Sequence, residues 1–98
     1  MNSIKDALLR KPIQRQLKDG SPYWLRRPSA LDLVEAIEFS KTHPERLAAW
    51  LAWRHLLDYE EGRLEPVFAS LDAALKADGA TVVEVAAAAE ALYSEGRD

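Results

Sequence analysis

The chain contains no cysteine, one methionine, two histidines and four scattered glycines in 98 residues. Without cysteine there is no disulfide framework, no thiolate metal site and no thiol nucleophile, which fits a reducing compartment. The glycines form no phosphate-cradling loop, and no serine stands in a Gly-x-Ser-x-Gly turn. No apolar run approaches the roughly 18–20 residues of a membrane span. The first residues, MNSIKDALLRKP, carry Lys5, Asp6 and Arg10 where a signal peptide would be apolar. Repeats and low-complexity tracts are missing too. These absences lead to the expectation of a soluble, cytoplasmic chain forming one domain over residues 1–98.

The charge that is present is unevenly placed. Residues 1–28 hold seven cations (Lys5, Arg10, Lys11, Arg15, Lys18, Arg26 and Arg27) against Asp6 and Asp19, a balance of +5. The remaining residues hold six cations against fourteen acids, a balance of −8, for a net charge of −3. A chain polarised in this way can pair its own ends or meet a partner of either sign.

Residues 3–10, SIKDALLR, suggest a short helix with Ile4 and Leu8 on one side, stopped by Pro12. Residues 13–27 predict a β-hairpin: IQRQLK alternates, YWLRR is rich in aromatics, and DGSP between them is turn chemistry. A three-residue loop over Asp19, Gly20 and Ser21 pairs Leu17 with Tyr23 and Arg15 with Leu25. It puts Ile13, Leu17, Tyr23 and Leu25 on one face and Trp24 and Arg26 on the other. A four-residue loop reverses the faces and sets Trp24 beside Leu17, so the register stays open.

From Ser29 onward the signals are helical. Ser29 and Asp32 have capping-box spacing, with Leu31, Val34 and Ile37, flanked by Leu33, as the expected buried stripe. Thr42 and Glu45, with Pro44 in the first turn, predict the start of a central helix through ERLAAWLAWRHLLDYE, ended by Gly62. Leu64, Val67, Phe68, Leu71, Ala74 and Leu75 predict a further helix from Pro66 to Gly79. Thr81 and Glu84 open the last helix, with Val82, Val85, Ala86, Ala89, Leu92 and Tyr93 as its stripe. The expected fold is mainly α: a small bundle of four helices over 29–98, with an N-terminal segment, 1–28, carrying the hairpin.

No constellation of catalytic residues stands out. His43 falls in a cap, and His55 lies on the central helix with no acid or second histidine at i±4, so structural roles at or near the surface are expected. A calcium loop begun at Asp58 has Glu60 at its third position, but Gly62 falls at the fifth and Ala69 at the twelfth. Helix-turn-helix DNA binding by residues 30–41 and 45–60 would need cations where Trp50 and Trp53 stand. The expectation is therefore a non-enzyme without cofactor or metal. Of Trp50 and Trp53, one is expected to fill the core and an exposed one to anchor a protein partner, since Trp supplies a large contact area. Trp24 on the hairpin edge has the same two roles open, and an edge strand can accept a strand from elsewhere. The candidate protein-binding residues are Tyr23, Trp24, Leu25, Trp50 and Trp53.

The order of these signals is informative: a hairpin ending in YWLRRPSALD, a helix, then HLLDYEEGRLEPVFASLDAAL, then TVVEVAAAAEAL. Over residues 13–95 this resembles the small tail assembly chaperones of long-tailed bacteriophages and prophages. Those proteins tend to show an extended segment closing in a Leu-Arg pair before a Ser/Thr-capped helix. An acidic-Gly turn follows, here Asp58 to Arg63, running to a residue such as Phe68, and an alanine-rich helix, here Thr81 to Tyr93, completes the pattern. The resemblance implies a non-enzymatic protein that holds the tape-measure protein soluble in the host cytoplasm and recruits tail-tube subunits. It implies no cofactor; from the residues themselves no membrane partner is expected, a nucleic-acid partner is not favoured, and homo-oligomerisation is left open. Two other readings stand beside it: a nucleic-acid-associated module using the basic N-terminal segment, and a small helical adaptor.

Overall fold

The computed structural model describes residues 3–95. A short helix α1 (Ile4–Leu8) precedes a hairpin of β1 (Ile13–Gln16) and β2 (Pro22–Leu25). Helices α2 (Ala30–Thr42) and α3 (Leu47–His55) follow, joined through a single 3-10 turn at Pro44–Arg46. A second hairpin, β3 (Leu56–Glu60) and β4 (Arg63–Pro66), leads to the short α4 (Leu71–Leu75) and the long α5 (Gly79–Ser94). The four strands form one antiparallel sheet in sequence order, β1-β2-β3-β4. The fold is therefore mixed α/β, not a four-helix bundle with a lone N-terminal hairpin.

The difference arises at two places. After His55 the backbone of Leu56 turns extended (φ −73°, ψ 125°), so the expected central helix stops short and becomes β3. Glu61 and Gly62 then form a two-residue loop with φ of 51° and 82°, the primed-turn geometry that matches the twist of paired strands. Glu60 faces Arg63, Tyr59 faces Leu64 and Leu57 faces Pro66 across it. The segment expected to continue helically from Pro66 instead reaches α4 only after Ser70, whose side chain accepts from the Ala73 amide.

The first hairpin forms with its faces as the three-residue loop required. The loop is Lys18-Asp19-Gly20: the Gly20 amide donates to the Leu17 carbonyl and the Leu17 amide to the Ser21 carbonyl, both at 2.9 Å. Gly20 adopts φ +92°, and the Asp19 carboxylate accepts from the Ser21 amide at 2.8 Å. Arg15 thus pairs with Tyr23 and Ile13 with Leu25, two residues from the expected register. A shift of two preserves the side-chain parity, so Tyr23 and Leu25 point to the helices and Trp24 points away from them.

The helix starts are partly as expected. Ser29 and Asp32 make a complete capping box. Thr42 does not cap: its hydroxyl donates back to the carbonyls of Glu38 and Phe39, and His43 occupies the junction. The last helix is capped by Asp78, which accepts from the Thr81 amide and hydroxyl, rather than by Thr81 with Glu84. Its stripe is buried as read: Val82, Val85, Ala86, Ala89, Leu92 and Tyr93. They meet α3, which buries Ala49, Trp50, Leu51, Ala52 and His55. Alanines on both helices allow a close approach, and Leu25, fully buried, closes the core from the sheet side. A fully buried leucine contributes about 2 kcal/mol relative to exposure.

Candidate protein-binding surface

Helix α2 is fastened to the rest of the molecule by a carboxylate. Asp32 is its one fully buried residue, 1% exposed. Arg26, just past β2, grips this carboxylate with both terminal guanidinium nitrogens, Nη1 to Oδ2 at 2.7 Å and Nη2 to Oδ1 at 3.2 Å. Arg54 of α3 donates to Oδ1 at 2.9 Å and also reaches Glu35 at 3.1 Å. The Ser29 amide supplies a further hydrogen bond at 2.8 Å. Burial works against the Asp32 carboxylate, but the donors from Arg26, Ser29 and Arg54 outweigh it and hold its pKa well below the usual carboxylate range.

The same network runs inward. Arg26 donates from Nε and Nη2 to the Arg54 carbonyl at 3.1 and 2.8 Å. His55, 0% exposed, donates from Nδ1 to the Arg26 carbonyl at 2.8 Å, and its Nε2 accepts from the Tyr93 hydroxyl. A carbonyl can only accept, so Nδ1 carries a hydrogen, and it is burial that favours the neutral ring. Burial pushes the His55 pKa down to about 4 and raises that of Tyr93. His55 is thus a core residue rather than the surface or half-buried group expected. No buried side-chain polar atom among the described residues lacks a partner. A fully satisfied set of this kind locks geometry.

Fastening α2 through Asp32 decides which face it presents. Residues in register with Asp32 turn inward: Ala36 packs on the core, and Phe39 stacks on Trp50 with ring centroids 5.9 Å apart. The stripe expected to be buried turns outward instead. Leu31 is 60%, Leu33 43%, Val34 55% and Ile37 53% exposed. Between this helix and the body lies an open groove of about 210 Å³, formed by Leu33, Ala36 and Ile37 of α2, Leu47 and Leu51 of α3, and Glu90 of α5.

Of the five residues singled out from the sequence, three are not available as surface. Tyr23, Leu25 and Trp50 are 7%, 0% and 4% exposed and belong to the core. Tyr23 and Leu25 lie on the inner sheet face, and Trp50 is enclosed by Phe39, His55 and the Arg54 guanidinium. Trp53 is half-buried under Arg54, 5.5 Å from its ring centroid. Trp24 lies half-buried on the outer sheet face, where its ring meets the edge of Tyr59 at 4.7 Å. The exposed face of α2 was not among the sequence candidates, because its apolar spacing is that of an ordinary core stripe.

Two of the N-terminal cations are engaged within the fold: Arg26 by Asp32, and Arg27 by Glu95 at 3.4 Å and by the Lys11 carbonyl at 3.1 Å. Among the described residues no group of three or more His, Asp or Glu side chains is placed to hold a metal ion. No helix among them is long and apolar enough to cross a membrane. Compared with family models, curated proteins and solved structures, the chain matches none of them significantly.

Proposed function

We propose that this chain is a tail assembly chaperone of the phage or prophage kind, acting without catalysis by masking an apolar helix of the tape-measure protein and recruiting tail-tube subunits. The observation that supports this reading is the inverted helix α2, which buries a charge and exposes Leu31, Leu33, Val34 and Ile37. A helix facing solvent with an apolar stripe is a surface for another helix. The contact is small, so its affinity is reversible, as a chaperone that must hand over its client requires. The candidate residues taken from the sequence reduce to Trp24 and Trp53 as contributors from outside α2. Such a protein would act in the host cytoplasm.

The test is co-expression with a phage tape-measure protein. The soluble fraction of that protein is expected to rise with the chain present and to fall back when Val34 and Ile37 are replaced by aspartate. A tape-measure protein equally soluble with and without the chain would overturn the reading.

A further inference from the structure

The sheet is open at both ends, where β1 and β4 stand. The Leu17 amide donates to the Ser21 carbonyl, so the backbone groups of Ile13, Arg15 and Leu17 turn toward β2. Those of Gln14 and Gln16 turn away. The Val67 amide donates to the Leu56 carbonyl, so Arg63 and Glu65 turn toward β3, and Leu64 and Pro66 turn away. Among the described residues no backbone hydrogen bond engages the outward groups of Gln14, Gln16 or Leu64. The two edges differ in charge. Asp58, Glu60 and Glu65 share the helix-side face at the β4 end, with one cation among them, Arg63, 3.8 Å from Glu65. Arg15 is the single charged residue of β1, on the same face of the sheet, exposed and without an ion pair among the described residues. Its Nη1 donates to the Gln14 carbonyl at 3.1 Å, which holds the guanidinium against the open edge.

We infer that β4 of one copy pairs with β1 of the next, head to tail, so that one antiparallel sheet runs through successive copies. β1 and β4 run in opposite directions, so a neighbour in the same orientation meets the edge antiparallel. Two registers bring Leu64 against an outward residue of β1. With Leu64 opposite Gln14, Arg63 faces Arg15, and like charges oppose. With Leu64 opposite Gln16, Glu65 faces Arg15, and Leu64 and Gln16 exchange two backbone hydrogen bonds. Pro66 then faces Gln14. Proline has no amide to offer there, and the Gln14 carbonyl that would need one already accepts from Arg15. Like edges fit less well: β1 on β1 in full overlap opposes Arg15 to Arg15, and β4 on β4 gathers both sets of acids. Each copy spends one edge of each kind, so the pairing does not close at two. The inference goes beyond the proposed chaperone role, uses no residue of α2 and does not depend on that role.

The experiment is sedimentation velocity of the purified chain alone over a range of concentrations. The parent is expected to form species that grow past the dimer as concentration rises, and to form fewer of them at high salt. Arg15→Glu and Glu65→Lys are each expected to sediment as monomers where the parent assembles, with circular dichroism as the check on folding. The double variant Arg15→Glu/Glu65→Lys is expected to assemble again. Residues 15 and 65 lie on opposite edges of the sheet, so that recovery comes only from contact between copies. Gln16→Pro removes an outward amide that the fold itself does not use, and is expected to give a folded monomer.

A parent chain that stays monomeric at every concentration overturns the inference. So does one that stops at dimers, since that is the behaviour of two like surfaces meeting across a two-fold axis. Assembly unchanged by Arg15→Glu or by Gln16→Pro overturns it too, as does a folded double variant that stays monomeric. None of these outcomes bears on solubilisation of a tape-measure protein, so the two proposals fail separately.

Discussion

The hydroxyl of Tyr93 donates to Nε2 of His55 across 38 residues of sequence, joining the end of α5 to the end of α3 beneath the sheet. Burial holds the ring neutral, while its other nitrogen donates to the Arg26 carbonyl. A buried imidazole that cannot easily accept a proton makes folding sensitive to acid.

Burial lowers the His55 pKa from 6.5 to about 4. Between those values the unfolded chain binds a proton that the folded chain refuses, so stability rises with pH through this window and falls on acidification. The loss approaches roughly 3 kcal/mol by the lower end. Asp32 adds a second loss below the ordinary carboxylate pKa of 3.8, because its folded pKa is depressed. Urea denaturation followed by tryptophan fluorescence, from neutral pH to about 4, should show a falling midpoint. In His55→Gln the slope should flatten, although the variant starts less stable. An unchanged slope would place the pH sensitivity elsewhere.

Removing Asp32 should do more damage than removing any exposed apolar residue of α2. Asp32→Ala deletes half of a capping box, worth about 1 kcal/mol, and leaves Arg26 and Arg54 facing one another without their acid. Breaking a buried ion pair from one side costs about 3–5 kcal/mol. The total should sit toward that range, tempered by the partial exposure of both arginines. Arg54→Leu placed on top of Asp32→Ala should recover part of the loss by relieving the repulsion between the two arginines, and only part, since Arg54 keeps Glu35 as a partner. A cost under 1 kcal/mol for Asp32→Ala would show that α2 is held by something other than this carboxylate.

What could be read from the sequence follows the range of the interactions. Ser29 and Asp32 are three residues apart, and the α5 stripe from Val82 to Tyr93 repeats within one element; both appear as expected. The first hairpin also rests on neighbours, and parity carried the facing of Tyr23, Leu25 and Trp24 through a register displaced by two. The network of Arg26, Asp32, Arg54, His55 and Tyr93 draws on β2's exit, α2, α3 and α5, so no spacing links its members. Because that network orients α2, the outward turn of Leu31, Val34 and Ile37 was hidden as well. A stripe at helical spacing says that one face is apolar, not which way the helix is rolled.

The second hairpin is a different case, since its signal is local but disguised. Leu57 and Tyr59 alternate toward one face of the sheet, and Glu61-Gly62 is a two-residue loop, yet glutamate stands where asparagine or aspartate is usual. That glutamate is strained at φ 51°, in the left-handed region. Glu61→Asn should therefore stabilise the protein by about 1 kcal/mol, and Gly62→Ala, at φ 82°, should destabilise it by a similar amount. Thermal or urea denaturation of the two variants checks both signs. Opposite signs from adjacent positions are peculiar to a tight turn; were this stretch a helix end, Gly62→Ala would be the milder change.

The surface assignment of α2 can be separated from its structural role by substituting opposite faces of the same helix. Val34→Asp and Leu31→Gln lie on the exposed side, and each should leave stability within about 0.5 kcal/mol of the parent. Ala36→Asp lies on the packed side beside Phe39, where an unpaired carboxylate in the interior should cost about 1–3 kcal/mol or more. On the proposed chaperone reading, the two exposed-face variants should fail to raise the solubility of a co-expressed tape-measure protein while remaining folded. Denaturation midpoints and soluble yield together decide the matter. If Val34→Asp and Leu31→Gln keep full activity, α2 is not the client surface. The outer sheet face carrying Trp24 and Tyr59, whose rings meet at 4.7 Å, then becomes the surface to substitute.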